Sequence, residues 1–151
     1  MKIGIASDHI GFELKNMIYE FVKSKGHECD DLGVYTQDPV DYPDIALKLA
    51  VEVAEGKHER GILICGTGIG MAIVANKVPS IRAALIYDIY SAERAMKSNN
   101  AQIVTLGAQI IGIEAAKMLI DAWLKAEFAG GRSTPKVEKI NRIDAQFRKS
   151  K

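Results

Sequence analysis

The sequence predicts an α/β domain built on a parallel sheet with helices on both faces. Short apolar runs rich in β-branched residues alternate with helical stripes about five times, and the connections are too long for hairpins. The middle of the chain, Gly61 to Lys77, reads as strand, glycine loop and helix in immediate succession.

In chain order, Lys2 to Ser7 is a short apolar strand ended by Asp8-His9. Ile10 to Lys25 carries Phe12, Leu14, Met17, Ile18, Phe21 and Val22 at helical spacing, and Gly26 stops it. His27 to Leu32 is a weaker second strand. A loop with Asp41-Tyr42-Pro43 precedes a helix over Asp44 to Gly56, with Ile45, Leu47, Leu49, Val51 and Val53 on and around its buried side. Ile62 to Cys65 is a strand buried on both faces, Gly66-Thr67-Gly68-Ile69-Gly70 a loop, and Met71 to Lys77 a buried helix. Ile81 to Ile86 is the fourth strand, Asp88 to Ser98 a helix, Asn99-Asn100 a turn and Gln102 to Leu106 the fifth strand. Gly112 to Glu127 is a long amphipathic helix carrying Trp123, and Gly130-Gly131 separates it from a polar, basic tail over 132–151 with helical character.

Residues 1–151 read as one domain, long enough to bury a core. Net charge is +1 with both signs dispersed, which excludes a nucleic-acid or polybasic membrane surface. No apolar run approaches the ~20 residues of a membrane span, and the first residues do not read as a signal peptide. Cys29 and Cys65 form neither a C-x-x-C pair nor a metal pattern, so two free thiols in a reduced, cytoplasmic setting are expected.

In parallel sheets ligands bind beyond the carboxyl ends of the strands. The polar residues expected there are Asp8, His9, Cys65 to Gly70, and Asp88. A glycine loop leading into a helix suits an anion, because the backbone can approach the ligand and the first N–H groups point at it. The loop is neither a P-loop nor the dinucleotide fingerprint. Cys65 sits where a helix dipole favours negative charge and reads as a nucleophile, a proton-transfer base or a small core residue. Asp8 reads as a helix cap or a site carboxylate, and His9 as a phosphate ligand or proton donor. Arg132 and Lys136, at i and i+4, form a solvated face or a phosphate clamp reaching a neighbouring subunit.

Five segments, SDHIGFELK (Ser7 to Lys15), VDYPD (Val40 to Asp44), GILICGTGIGMAIVANKVPSIRAAL (Gly61 to Leu85), YSAERA (Tyr90 to Ala95) and AEFAGGR (Ala126 to Arg132), carry a resemblance nearly end to end. The chain resembles the type B ribose-5-phosphate isomerases and the galactose-6-phosphate isomerase subunits. The resemblance implies a Rossmann-like (flavodoxin-like) three-layer fold with a five-stranded parallel sheet and a C-terminal helix packing on a partner subunit. It also implies a homodimer or dimer of dimers with sites at the subunit interface, no cofactor and no metal. The implied reaction moves a proton between C1 and C2 of a small sugar phosphate through an enediolate.

By that resemblance Cys65 is the base and Thr67 lies in its hydrogen-bonding neighbourhood, while the N–H groups from Gly66 through Gly68 and Ile69 to Gly70 stabilise the oxyanion. Asp8 holds sugar hydroxyls, His9 and Arg132 meet the phosphate, and Tyr42 and Asn99 line the sugar site. The departures are specific. Ser98 stands where members acting on cyclic sugars carry the histidine credited with ring opening, Gln109 replaces an arginine, Lys136 replaces a second tail arginine, and Ser133 replaces a histidine. The implied substrate is ribose 5-phosphate. A four-carbon sugar 4-phosphate, which needs no ring opening, is the alternative that Ser98 suggests, and a non-catalytic subunit of a hetero-oligomer is the other.

Overall fold

The computed structural model describes residues 1–148. Five strands, β1 (Lys2–Ser7), β2 (Glu28–Asp31), β3 (Arg60–Cys65), β4 (Ala83–Leu85) and β5 (Ile103–Gly107), form one wholly parallel sheet in the order β2-β1-β3-β5-β4. The helices are α1 (Phe12–Ser24), α2 (Tyr42–Ala54), α3 (Ile69–Ala75), α4 (Ile89–Lys97), α5 (Ile113–Lys125) and α6 (Thr134–Arg148), with a 3-10 turn over Gly131–Ser133. The α/β alternation is as expected. The edge order is not the 2-1-3-4-5 of flavodoxin, because β5 enters between β3 and β4. From β1 the chain turns one way to β2 and the other way to β3, so the sheet has its switch-point crevice between the carboxyl ends of β1 and β3.

Strand periodicity divides the core into two layers. Ile62 and Ile64 pack with Ile3, Ile5, Leu106 and the fully buried Trp123 on the α1, α4 and α5 side. Leu63 and Cys65 face the other way, with Leu49, Val53 and Met71 of α2 and α3. Cys65 is therefore set by register on the α2–α3 side of the sheet.

Several boundaries shift from the sequence expectation for physical reasons. Helix α2 begins at Tyr42, two residues early, because Pro43 has the φ of a first helical turn and lacks only an N–H that such a turn leaves unbonded. Helix α3 begins at Ile69, so Ile69 and Gly70 belong to its first turn and not to the loop. Strand β4 is three residues long, and the amide of Asn76 pins it: Nδ2 donates to the Ala83 carbonyl and Oδ1 accepts the Ala83 N–H, each at 2.9 Å. Met17 of α1 and Leu47 of α2 are exposed, not core.

The tail is helical, and several of its side chains bond to the body of its own chain. Asp144 Oδ2 accepts the Ser80 N–H at 2.8 Å, Arg82 donates to Asn141 Oδ1 at 2.9 Å, and Arg148 donates to the Lys77 carbonyl. That leaves Ile140, Ile143 and Phe147 exposed on another face of α6. The part of the tail expectation covering 149–151 lies outside the described residues.

Periodicity does not anticipate Lys15, which is fully buried in α1. Its Nζ donates to both carboxylate oxygens of Asp31 at 2.8 Å and to the Val34 carbonyl at 2.5 Å. One ammonium thus ties α1 to the end of β2 and to the loop leading toward Tyr42. Removing one partner of a buried pair leaves the other charge uncompensated. Lys15→Ala should lower the unfolding free energy by about 3 kcal/mol, read as a shift of the urea midpoint at constant m; a midpoint within error of the parent would contradict this role.

Candidate active site

The crevice between β1 and β3 is built by short-range geometry. At the end of β3 the chain makes a left-handed turn at Gly68, φ +78°, which a residue with a Cβ adopts only with strain. The turn folds the Gly68 N–H back onto Cys65, and it donates to Sγ at 3.1 Å. Cys65 is 5% exposed. From below, buried Thr105 of β5 donates to the Gly68 carbonyl at 2.8 Å. Gly107 lets the Thr67 backbone settle on the end of β5, since a Cβ there would come within 2.7 Å of it. The Ala108 and Gln109 N–H groups donate to the carbonyls of Cys65 and Gly66 at 2.8 and 3.0 Å.

Asp8 follows β1, buried, with its N–H donating to the Ile64 carbonyl at 3.2 Å. Its Oδ1 accepts the Gly11 N–H at 3.0 Å, so one carboxylate oxygen organises the start of α1. His9 accepts the Val40 N–H on Nδ1 at 3.2 Å. That bond leaves Nε2 as the protonated ring nitrogen of a neutral imidazole and ties the loop before α2 to the crevice. The Tyr42 ring lies directly over Gly70, where a Cβ would come within 2.4 Å of it. Asp8, His9, Tyr42 and the Cys65–Gly70 loop are thus brought together.

Two expectations at this end need correction. The Thr67 hydroxyl accepts the Ile69 N–H at 3.3 Å and has no hydrogen bond to Cys65, and the Gly68 N–H is engaged by the sulfur. Asp88 acts as the cap of α4, its Oδ1 accepting the Ser91 N–H at 2.7 Å, and this bond holds its carboxyl below the usual range.

Sequence reasoning missed Tyr87. Its hydroxyl donates to the Thr67 carbonyl, clamping the glycine loop from the β4–α4 connection. Burial raises the Tyr87 pKa above the ordinary phenol value, and negative charge at Cys65 raises it further. No local signal marks this residue, because its partner is a carbonyl 20 positions away.

The remaining predicted residues sit elsewhere on the chain. Helix α4 ends at Lys97, Ser98 caps it, and Asn100 takes a left-handed conformation, φ +50°. The Ala129 N–H donates to the Lys97 carbonyl at 3.0 Å and draws the following turn against that end. Ser98, Asn99, Arg132 and Lys136 consequently line one cavity of about 580 Å³. None of the residues from Cys65 to Gly70 lines it. The predicted site is therefore two clusters within one chain. Among the described residues no group of three or more His, Cys, Asp or Glu side chains is placed to hold a metal ion, and no helix is long and apolar enough to cross a membrane.

A parallel α/β sheet with a cysteine and glycine loop at its switch point defines the class, and comparison with known proteins defines the family. The Ribose/Galactose Isomerase family model matches residues 3–140, and the chain belongs to that family. It is 53% identical over 150 residues to D-erythrulose-4-phosphate isomerase of Pectobacterium atrosepticum, covering 97% of each chain. It is 52% identical to ribose-5-P isomerase B of Listeria innocua, covering 98% of this chain and all of that one. The solved structure of Clostridium thermocellum ribose-5-phosphate isomerase B superposes with a TM-score of 0.95 at 48% identity, over 97% of this chain and 99% of that one.

The Tyr87 geometry gives a titration test. Its phenolate should form at higher pH than an ordinary tyrosine's, and Cys65→Ala should bring that titration down part of the way, since burial remains. Ultraviolet difference titration of Tyr87→Phe against the parent isolates the signal; a Tyr87 titration untouched by Cys65→Ala would separate the two groups.

Proposed function

We propose that the chain is an aldose–ketose isomerase that interconverts ribose 5-phosphate and ribulose 5-phosphate, with Cys65 as the base. The observation that carries this reading is the Cys65 sulfur, bonded to the Gly68 N–H at 3.1 Å and set beside Asp8 and His9 in the switch-point crevice. The Cys65 thiolate removes the proton from C2 of the open-chain aldose, and the C2–H electrons form the C1–C2 double bond as O1 takes the negative charge. The O2 proton passes to O1, and the Cys65 thiol returns its proton to C1, so that the cis-enediolate collapses to the C2 ketone with a C1 hydroxyl and a regenerated thiolate. Backbone N–H groups of the Gly66–Gly70 loop not held by Cys65 or Thr67 suit the oxyanion. Asp8 and Tyr42 orient hydroxyls, and His9 Nε2 donates to the phosphate.

A second copy of the chain completes the site. Arg132, Lys136, Ser98 and Asn99 form a cationic, hydroxyl-bearing cluster that lacks a base, and the Cys65 crevice lacks a cation clamp. Ile140, Ile143 and Phe147, exposed on α6, support a homodimer or dimer of dimers whose tail cluster closes over the neighbour's crevice. The free, buried Cys29 and Cys65 suit a reducing cytoplasm.

Ser98 favours a second reading, in which the substrate is a tetrose 4-phosphate. Serine is a poor base at neutral pH, and a four-carbon sugar blocked at O4 cannot close a furanose ring, so it needs none. The Pectobacterium relative bears a name of that kind.

Isomerisation of ribose 5-phosphate and of erythrose 4-phosphate by the purified protein, measured side by side with Cys65→Ala, tests both readings. Turnover on the pentose that falls by at least about a thousandfold in Cys65→Ala is expected. A preference for the tetrose supports the second reading. Near-normal activity in Cys65→Ala would place the base elsewhere, and no turnover by the parent on either sugar would make this a non-catalytic subunit.

A further inference from the structure

We propose that Arg94 is a third phosphate-binding cation of the tail-side cavity, beside Arg132 and Lys136. The inference rests on the reading above that this cavity receives the substrate's phosphate. Arg94 lies on α4 one turn before Ser98 and lines the same cavity. Its guanidinium is held but poorly satisfied. Nη1 reaches Ser98 Oγ only at 3.5 Å, and Nη2 lies 3.7 Å from Glu93, a carboxylate that Lys97 also approaches at 3.4 Å. Nε is sealed from solvent and has no acceptor among the described residues. A guanidinium carries five N–H donors in a fixed plane, and a buried donor without an acceptor is costly.

Two further features fit an oxyanion. The Tyr90 ring lies 5.4 Å from the Arg94 guanidinium carbon, a cation–π contact that fixes the group before any ligand arrives. Arg94, Lys97, Arg132 and Lys136 all line the cavity, and no carboxylate does. Such a concentration of one sign in a concave site attracts an anion. A phosphate, planar-fork compatible and rich in acceptors, satisfies what Ser98 and Glu93 leave unmet.

Inorganic phosphate titrated calorimetrically into the full-length protein tests this without requiring turnover. Arg94→Gln should weaken phosphate binding by about tenfold or more, and Arg94→Lys by less, since it keeps the charge and loses the fork. With sugar phosphate, KM should rise in Arg94→Gln while kcat changes less, and thermal melts should match the parent. Arg132→Ala serves as the site control and Cys65→Ala as the chemistry control. If Arg132→Ala loses phosphate and Arg94→Gln does not, Arg94 has no such role. If neither loses it, or the parent does not bind phosphate, the cavity is not the phosphate site and the proposal falls with that reading. Should Arg94→Gln fail to fold, Arg94→Lys decides: unchanged affinity overturns a fork contact. Retained phosphate binding with no isomerase activity on any sugar would sink the Cys65 reading alone.

Discussion

The turn at Gly68 is the constraint on which the crevice depends. A residue in the left-handed region at that point reverses the chain within three positions of Cys65, and this brings a backbone donor onto the sulfur. Everything around the turn holds it in place. Thr105 bonds its carbonyl from the neighbouring strand, Gly107 lets it approach, and Tyr87 fastens the preceding residue from the far side. The loop is fixed before a ligand arrives, which is the condition for backbone dipoles to stabilise charge without reorganising. Sheet topology then supplies the second wall, because β1 is the hydrogen-bonded neighbour of β3 and ends in Asp8 and His9.

On the proposed reading, the other half of the chemistry sits on the same chain in a separate cluster. The end of α4 and the turn before α6 make a cationic cavity with hydroxyl and amide groups but no base. The β1–β3 crevice carries the Cys65 thiol, the His9 imidazole and the Asp8 carboxylate. The proposed homodimer would complete both sets by exchanging them between two copies, and closed two-fold symmetry would make the exchange reciprocal. On this account α6 does two things: one face is bonded to its own chain through Asp144, Asn141 and Arg148, and the other offers Ile140, Ile143 and Phe147 outward.

Much of the fold was legible in the sequence because strand and helix periods are local. Lys2–Ser7 forms a strand with the expected bounds, and the strand–loop–helix over Gly61 to Lys77 occurs where its glycines and apolar run place it. What was not legible depends on partners distant in sequence. Lys15 is buried in defiance of its polarity because Asp31 and Val34 meet it from another element. The insertion of β5 between β3 and β4 leaves no trace in the order of elements along the chain. In the site, Cys65 and its glycines announced themselves by position at a strand end. Arg132 and Lys136 were legible as a pair from their i, i+4 spacing, whereas Ser98 and Asn99 were named through family resemblance, since nothing local links a helix terminus to a turn some thirty residues later. Tyr87 and Arg94 escaped both routes, one acting on a carbonyl and the other through a poorly satisfied guanidinium.

The central claim is that one site uses two copies of the chain, and subunit complementation tests it most directly. Cys65→Ala and Arg132→Ala are each assayed alone for sugar-phosphate isomerisation, then unfolded together, refolded together and assayed again. The account predicts that each is inactive alone and that the mixture regains turnover, because a mixed pair contains one site with both Cys65 and Arg132 intact. A mixture as inactive as its components, with mixed pairs shown to have formed, would place both residues in one chain's site and contradict the account.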